Sequence, residues 1–155
     1  MASNIFISYS GKDNQRIVPI LGTLKTIQNL TLFISEDSMP PGAKIDDRII
    51  NEIKGCNLFL VFYSISSKQS SYVQQEIGVA RANNKMIIPI LLDGTKPEAM
   101  LLNINYVDLS DSSKFSNEFN RLYHYISSNF KKQQLIEVAG SIALLFICIA
   151  MLGKK

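Results

Sequence analysis

The 155-residue chain contains no tryptophan, one histidine and two cysteines. Two cysteines and one histidine give no recognised metal-ligand spacing and no disulfide framework, so the cysteines point to a reducing compartment. Charged residues are only 19% of the chain, and the net charge is +3. A soluble domain usually carries about a quarter charged residues. No basic cluster is larger than a lysine pair, Lys131–Lys132 or Lys154–Lys155, which excludes nucleic-acid binding by charge alone. The opening "MASNIFISYS" lacks a basic stretch followed by a long apolar core, so no secretory leader is expected. "DGTKP" (93–97) lacks the glycine spacing and terminal Lys–Ser/Thr of a phosphate loop. Asp13, Asp46 and Asp47 have no metal-binding spacing, and internal repeats are absent.

What is present is apolar, 46% of residues, and unevenly placed. "NIFISYS" (Asn4–Ser10), "LTLFIS" (Leu30–Ser35), "NLFLVFYS" (Asn57–Ser64) and "MIIPILL" (Met86–Leu92) read as strands, with "NYVDL" (Asn105–Leu109) as a short fifth. Between them lie segments with helical spacing. Ile17, Ile20, Leu21, Leu24 and Ile27 form one, with Asp13 as its expected cap. Ile45, Ile49 and Ile53 form a second, and a third begins in "SSYVQQEIGVA" (Ser70–Ala80). The last follows at Lys114–Phe130. "ISSKQSS" (Ile65–Ser71) reads as a polar loop. Apolar strands alternating with amphipathic helices predict an α/β fold: a doubly wound, flavodoxin-like, five-stranded parallel sheet. Ligands of such sheets bind beyond the carboxyl ends of the strands, here Tyr9–Ser10, Ser35–Asp37, Ser64–Ser66 and Asp93–Gly94.

In the third predicted helix, Val73, Ile77 and Ala80 define an apolar stripe. At about 100° per residue, Glu76 lies roughly 65° from the centre of that stripe, and Tyr72 about 40° further round. Glu76 is therefore expected at the boundary between core and solvent. Phe6 and Phe33 are expected in the core, and the lone His124 and Cys56 are read as structural.

The C-terminal "LIEVAGSIALLFICIAML" (Leu135–Leu152) carries one charge, Glu137. Eighteen residues rise roughly 27 Å as a helix, close to the bilayer core of about 30 Å. No polar face is evident, so the segment reads as a membrane-spanning helix rather than an amphipathic one. Lysines on both sides would reach the interfaces. The expected organisation is a domain over 1–132, held on the cytoplasmic side, and a single-pass helix within 133–155. A buried oligomerisation helix is the competing reading.

"IFISYS", "FISEDSMPPGAKIDDRIINEIKGC", "LFLVFYSISSKQSSYVQQEIGVA" and "IIPILLD" occur in that order. Together they resemble a TIR (Toll/interleukin-1 receptor/resistance protein) domain of the prokaryotic type, over about Asn4 to Phe130. Many such domains cleave NAD+ at the nicotinamide–ribose bond. The resemblance implies Glu76 as the catalytic carboxylate, with Ser70 and Tyr72 upstream of it. Tyr72 stands where the family pattern has tryptophan. Tyr9, Ser10 and Asp37 are implied to contact the substrate. Pro40, Pro41 and Gly42 fall in the segment resembling the family's BB loop, which implies assembly through TIR–TIR contacts. The implied partners are NAD+ as substrate with no cofactor or metal, copies of the same chain, and a lipid bilayer through residues 135–152. Nucleic acid is not among them. The implied role is an assembly-activated antiphage effector that releases ADP-ribose or a cyclic form of it. The competing readings are a non-catalytic TIR scaffold and a membrane-disrupting tail gated by TIR assembly.

Overall fold

A computed structural model describes residues 3–36 and 45–130, together with Ile136 and Ala139. Five parallel strands form one sheet: β1 (Ser3–Tyr9), β2 (Leu30–Glu36), β3 (Leu58–Tyr63), β4 (Ile87–Leu91) and β5 (Val107–Asp108). Their order is β2-β1-β3-β4-β5, the doubly wound arrangement that the alternating pattern predicts. The order reverses between β1 and β3, which places the switch point at the carboxyl ends of those two strands.

Strand alternation sorts the side chains into two cores. One face carries Ile5, Ile7, Tyr9, Leu58, Leu60, Phe62 and Ile90. It is covered by α1 (Asn14–Leu24), through Ile17, Ile20, Leu21 and Leu24, and by the helix 115–130, α5, through Leu122, Ile126 and Phe130. The other face carries Phe6, Phe59, Val61, Tyr63, Ile87 and Leu91. Its cover is α2 (Asp47–Gly55), through Ile53, and α4 (Ser71–Ala82), through Val73, Ile77 and Ala80.

Register builds an aromatic ladder on this second face. Phe6 is the partner of Phe33 on one side and Phe59 on the other. Both ring pairs stack with centroids 5.3 Å apart. The Arg48 guanidinium of α2 lies 5.7 Å from the Phe33 ring centre, within cation–π range. Phe6 and Phe33 thus belong to the core.

Local capping explains where the helices begin. Asp46 accepts from the Arg48 backbone N–H and opens α2, and Ser70 accepts from the Val73 N–H and opens α4. The expected cap at Asp13 is different. Asp13 stands at the start of α1 but makes no side-chain cap bond. A 3-10 turn over Gly11–Asp13 leads straight into the helix, with the Asn14 N–H bonding to the Gly11 carbonyl, and the Asp13 carboxylate turns to Ser64 instead.

The segment Ile65–Ser71, expected as a loop, contains a short helix, α3 (Ile65–Gln69). Ser64 and Ser67 form a reciprocal capping box: Ser64 Oγ accepts from the Ser67 N–H at 3.1 Å, and Ser67 Oγ accepts from the Ser64 N–H at 2.7 Å. That pair offsets the weak helix propensity of a serine-rich run.

The predicted membrane segment 135–152 lies outside the described residues, apart from Ile136 and Ala139, which are helical and exposed. Among the described residues no helix is long and apolar enough to cross a membrane. Asp37, Pro40, Pro41 and Gly42 also lie outside them.

Candidate functional site at the carboxyl edge of the sheet

Eight polar or charged residues are buried among the described ones: Ser3, Ser8, Ser10, Asp13, Ser35, Ser64, Ser67 and Glu76. All except Ser3 lie at the carboxyl ends of β1, β2 and β3, or on the elements that follow them. Burying polar groups costs free energy unless they are hydrogen-bonded, and these seven gather at one edge.

Glu76 is at the centre. The second-face positions that carry the Phe33–Phe6 pair carry Ser35 and Ser8 two residues later, and these two are again register partners. Ser8 Oγ donates to Glu76 Oε2 at 2.5 Å, and Ser35 Oγ donates to Oε1. One carboxylate from α4 thereby bridges two strands.

The boundary position expected for Glu76 is corrected here, because the residue is 0% exposed. The apolar stripe alone underestimates what covers α4. The carboxylate reaches past the stripe to Ser8 of β1 and Ser35 of β2, and α4 also packs against α2. Tyr72 is buried too, 6% exposed, one turn before Glu76 on the same side of the helix.

The other expected site residues divide. Ser70 is half-buried, and its hydroxyl caps α4. It therefore acts on the helix that carries Glu76 and Tyr72. Ser10 is buried, with its carbonyl accepting from the Asp13 N–H at 2.8 Å. Tyr9 is not brought together with Glu76. Strand alternation sends it into the core beneath α1 and α5, and its hydroxyl donates to Asn14 Oδ1 at 3.3 Å. Ser8 was not expected at the site, and Ser35 was expected only as part of the carboxyl end of its strand. The signal for them is a serine in the slot where alternation calls for an apolar side chain.

A second buried cluster stands at the switch point. Ser64 Oγ donates to the Asp13 carboxylate at 2.5 Å, tying the segment after β1 to the end of β3. One strand further, the Asp93 carboxylate accepts from the Ile65 and Thr95 N–H groups. Burial pushes the Asp93 carboxyl up, but those bonds and the Arg16 charge outweigh it and hold the group below the usual carboxylate range. Burial, with the Glu98 carboxylate adding to it, pushes the Tyr63 phenol up.

Burial pushes the Cys56 thiol up, against the Lys85 ammonium, which disfavours the reactive thiolate. His124 is exposed. Among the described residues no cluster of three or more His, Cys, Asp or Glu side chains could hold a metal ion. Cavities of about 270 Å³ beside Leu58, Met86 and Phe130 and about 500 Å³ beside Asn29, Tyr123 and Phe130 lie toward the amino ends of the strands. That edge is opposite the one where sheets of this order take ligands.

Residues 5–123 match the family model described as the TIR domain. A probable 2' cyclic ADP-D-ribose synthase of Brachypodium distachyon is 33% identical over 99 residues, 63% of this chain. The match spans 44% of that relative's length. Two solved structures share the fold. The TIR domain of a Toll-related receptor of Hydra magnipapillata superposes with a TM-score of 0.63 at 19% identity, covering 79% of this chain and 96% of that one. The TIR domains of the activated Roq1 resistosome, which directly recognises the pathogen effector XopQ, give 0.61 at 13% identity, covering 81% and 99%.

Proposed function

This chain belongs to the TIR domain family, and from that membership we propose that it cleaves the nicotinamide–ribose bond of NAD+. The single observation that carries the reading is the Glu76 carboxylate, buried at the carboxyl edge of the sheet and bonded by Ser8 and Ser35. The relative named as a cyclic ADP-ribose synthase supports the same class of chemistry.

The chemistry asks little of the protein. In NAD+ the nicotinamide ring is cationic. When its bond to the ribose carbon breaks, the electron pair stays on the ring nitrogen, and nicotinamide leaves neutral without a general acid. The ribose carbon is left as an oxocarbenium-like cation, as in glycoside hydrolysis. A fixed carboxylate in a water-poor site stabilises that developing charge, and Glu76 is the group we assign to it. Addition of water with loss of a proton gives ADP-ribose. Attack by a nucleophile of the ADP-ribose itself gives a cyclic product. Tyr72, on the same side of α4, offers an aromatic face near the carboxylate.

The proposal extends to the rest of the chain. Copies assemble through TIR–TIR contacts, with Pro40, Pro41 and Gly42 in the segment that resembles the BB loop. Residues 135–152 anchor the chain in a bilayer, with the domain over 1–132 on the cytoplasmic side. Confinement to a membrane raises the effective concentration of neighbours, which favours an activity switched on by assembly. Depletion of NAD+ after such a switch is the basis of the antiphage role we propose.

The test is expression of the full chain beside Glu76→Gln, with cellular NAD+ and its products followed by mass spectrometry. NAD+ should fall only with the wild type, and the product separates hydrolysis from cyclisation. Unchanged NAD+ with assembled wild-type protein would sink the enzyme reading and leave a self-associating scaffold.

A further inference from the structure

We infer that Ser8 and Ser35 are positioning residues for Glu76: a two-hydroxyl fork, set by the register of β1 against β2, that fixes the orientation of the carboxylate. The effect on rate rests on the NAD+-cleavage reading, whereas the fork itself rests on geometry alone.

The two serines are partners in adjacent parallel strands and face the same layer. Neither comes from a loop, so their separation is set by the sheet's own spacing of about 4.8 Å. Each hydroxyl takes a different oxygen of Glu76. The terminal torsion of a glutamate is normally broad. Two bonds from fixed points on two strands remove that freedom.

The fork supplies orientation, and neither serine need touch the reacting atoms.

The test uses the full chain with Ser8→Ala, Ser35→Ala, the double variant and the hydroxyl-retaining Ser8→Thr and Ser35→Thr. Two quantities are read: kcat and KM for NAD+ cleavage, and the resonance of the Glu76 carboxylate carbon by NMR of labelled protein. Each alanine variant should lose about tenfold in kcat, the size expected for one hydrogen bond to a charged group, with a smaller change in KM. The Glu76 carbon resonance should shift in the alanine variants, and the threonine variants should stay near wild type. An unchanged kcat and an unchanged resonance in the alanine variants would overturn the inference, leaving the serines as simple fillers of a buried polar site. If Glu76→Gln still cleaves NAD+, the assignment of Glu76 as the catalytic carboxylate fails, and the Glu76 carboxylate resonance alone still decides the fork.

Discussion

Ser64, at the end of β3, donates its hydroxyl to the Asp13 carboxylate across 51 residues of sequence, at 2.5 Å. Both residues are buried, and they join the two segments that flank the switch point. Ser64 also forms the capping box of α3. One side chain therefore serves two neighbouring structures.

Ser64→Ala should cost about 1–3 kcal/mol, because it leaves the buried Asp13 oxygen without this donor and removes a helix cap. Asp13→Ala should cost less, since a hydroxyl can turn to another acceptor. Urea unfolding of the two variants checks the order. A larger loss for Asp13→Ala would show that the carboxylate has other important contacts.

Asp93 predicts a pH dependence. Its carboxyl is held below the ordinary range in the fold, where burial is outweighed by bonds from Ile65 and Thr95 and by Arg16. A depressed folded value adds stability above the unfolded value of about 3.9. That stability is lost as pH falls through the folded value. The wild type should exceed Asp93→Asn in stability at pH 7, and the gap should close below about pH 4. Thermal midpoints measured from pH 7 to pH 3 test this, and a constant gap would contradict it.

Gly78 lies inside α4, and a Cβ built there would meet only the Met100 side chain, at 3.7 Å. That is ordinary contact distance. Gly78→Ala should therefore stabilise the protein by about 0.5–1 kcal/mol through helix propensity and the unfolded chain. The denaturant midpoint should rise with an unchanged slope. A fall would mean that the turn at Ala99–Leu101 cannot yield to a methyl group.

Removal of residues 133–155 tests the proposed anchor. The full chain should sediment with membranes and resist carbonate extraction, and the shortened chain should not. Membrane association of both would move the attachment into the domain over 1–132.

Much of the fold was legible. Phe6, Phe59 and Ile90 sit in runs too apolar for anything but buried strands, and the spacing of Ile17, Ile20, Leu21 and Leu24 gives α1 its buried face. The short α3 was not legible from polarity, because its start depends on two serines bonding reciprocally, which composition does not show. The burial of Glu76 escaped the helical wheel for a related reason. A wheel records one apolar stripe, whereas Glu76 is buried through polar contacts with Ser8 and Ser35 on two neighbouring strands. Tyr9 was expected at the site from its place at a strand end, and alternation sets it on the face of the sheet opposite Ser8.

The pairing of β1 with β2 has one more consequence. A slip of a single residue would set Ser8 beside Ile34 or Glu36 instead of Ser35, and would turn the wrong side of β2 toward each core. The same slip would break up the Phe6–Phe33 stack. The contacts that hold Glu76 and the packing of the aromatic core are thus encoded in one alignment, so a chain that mispairs here loses both at once.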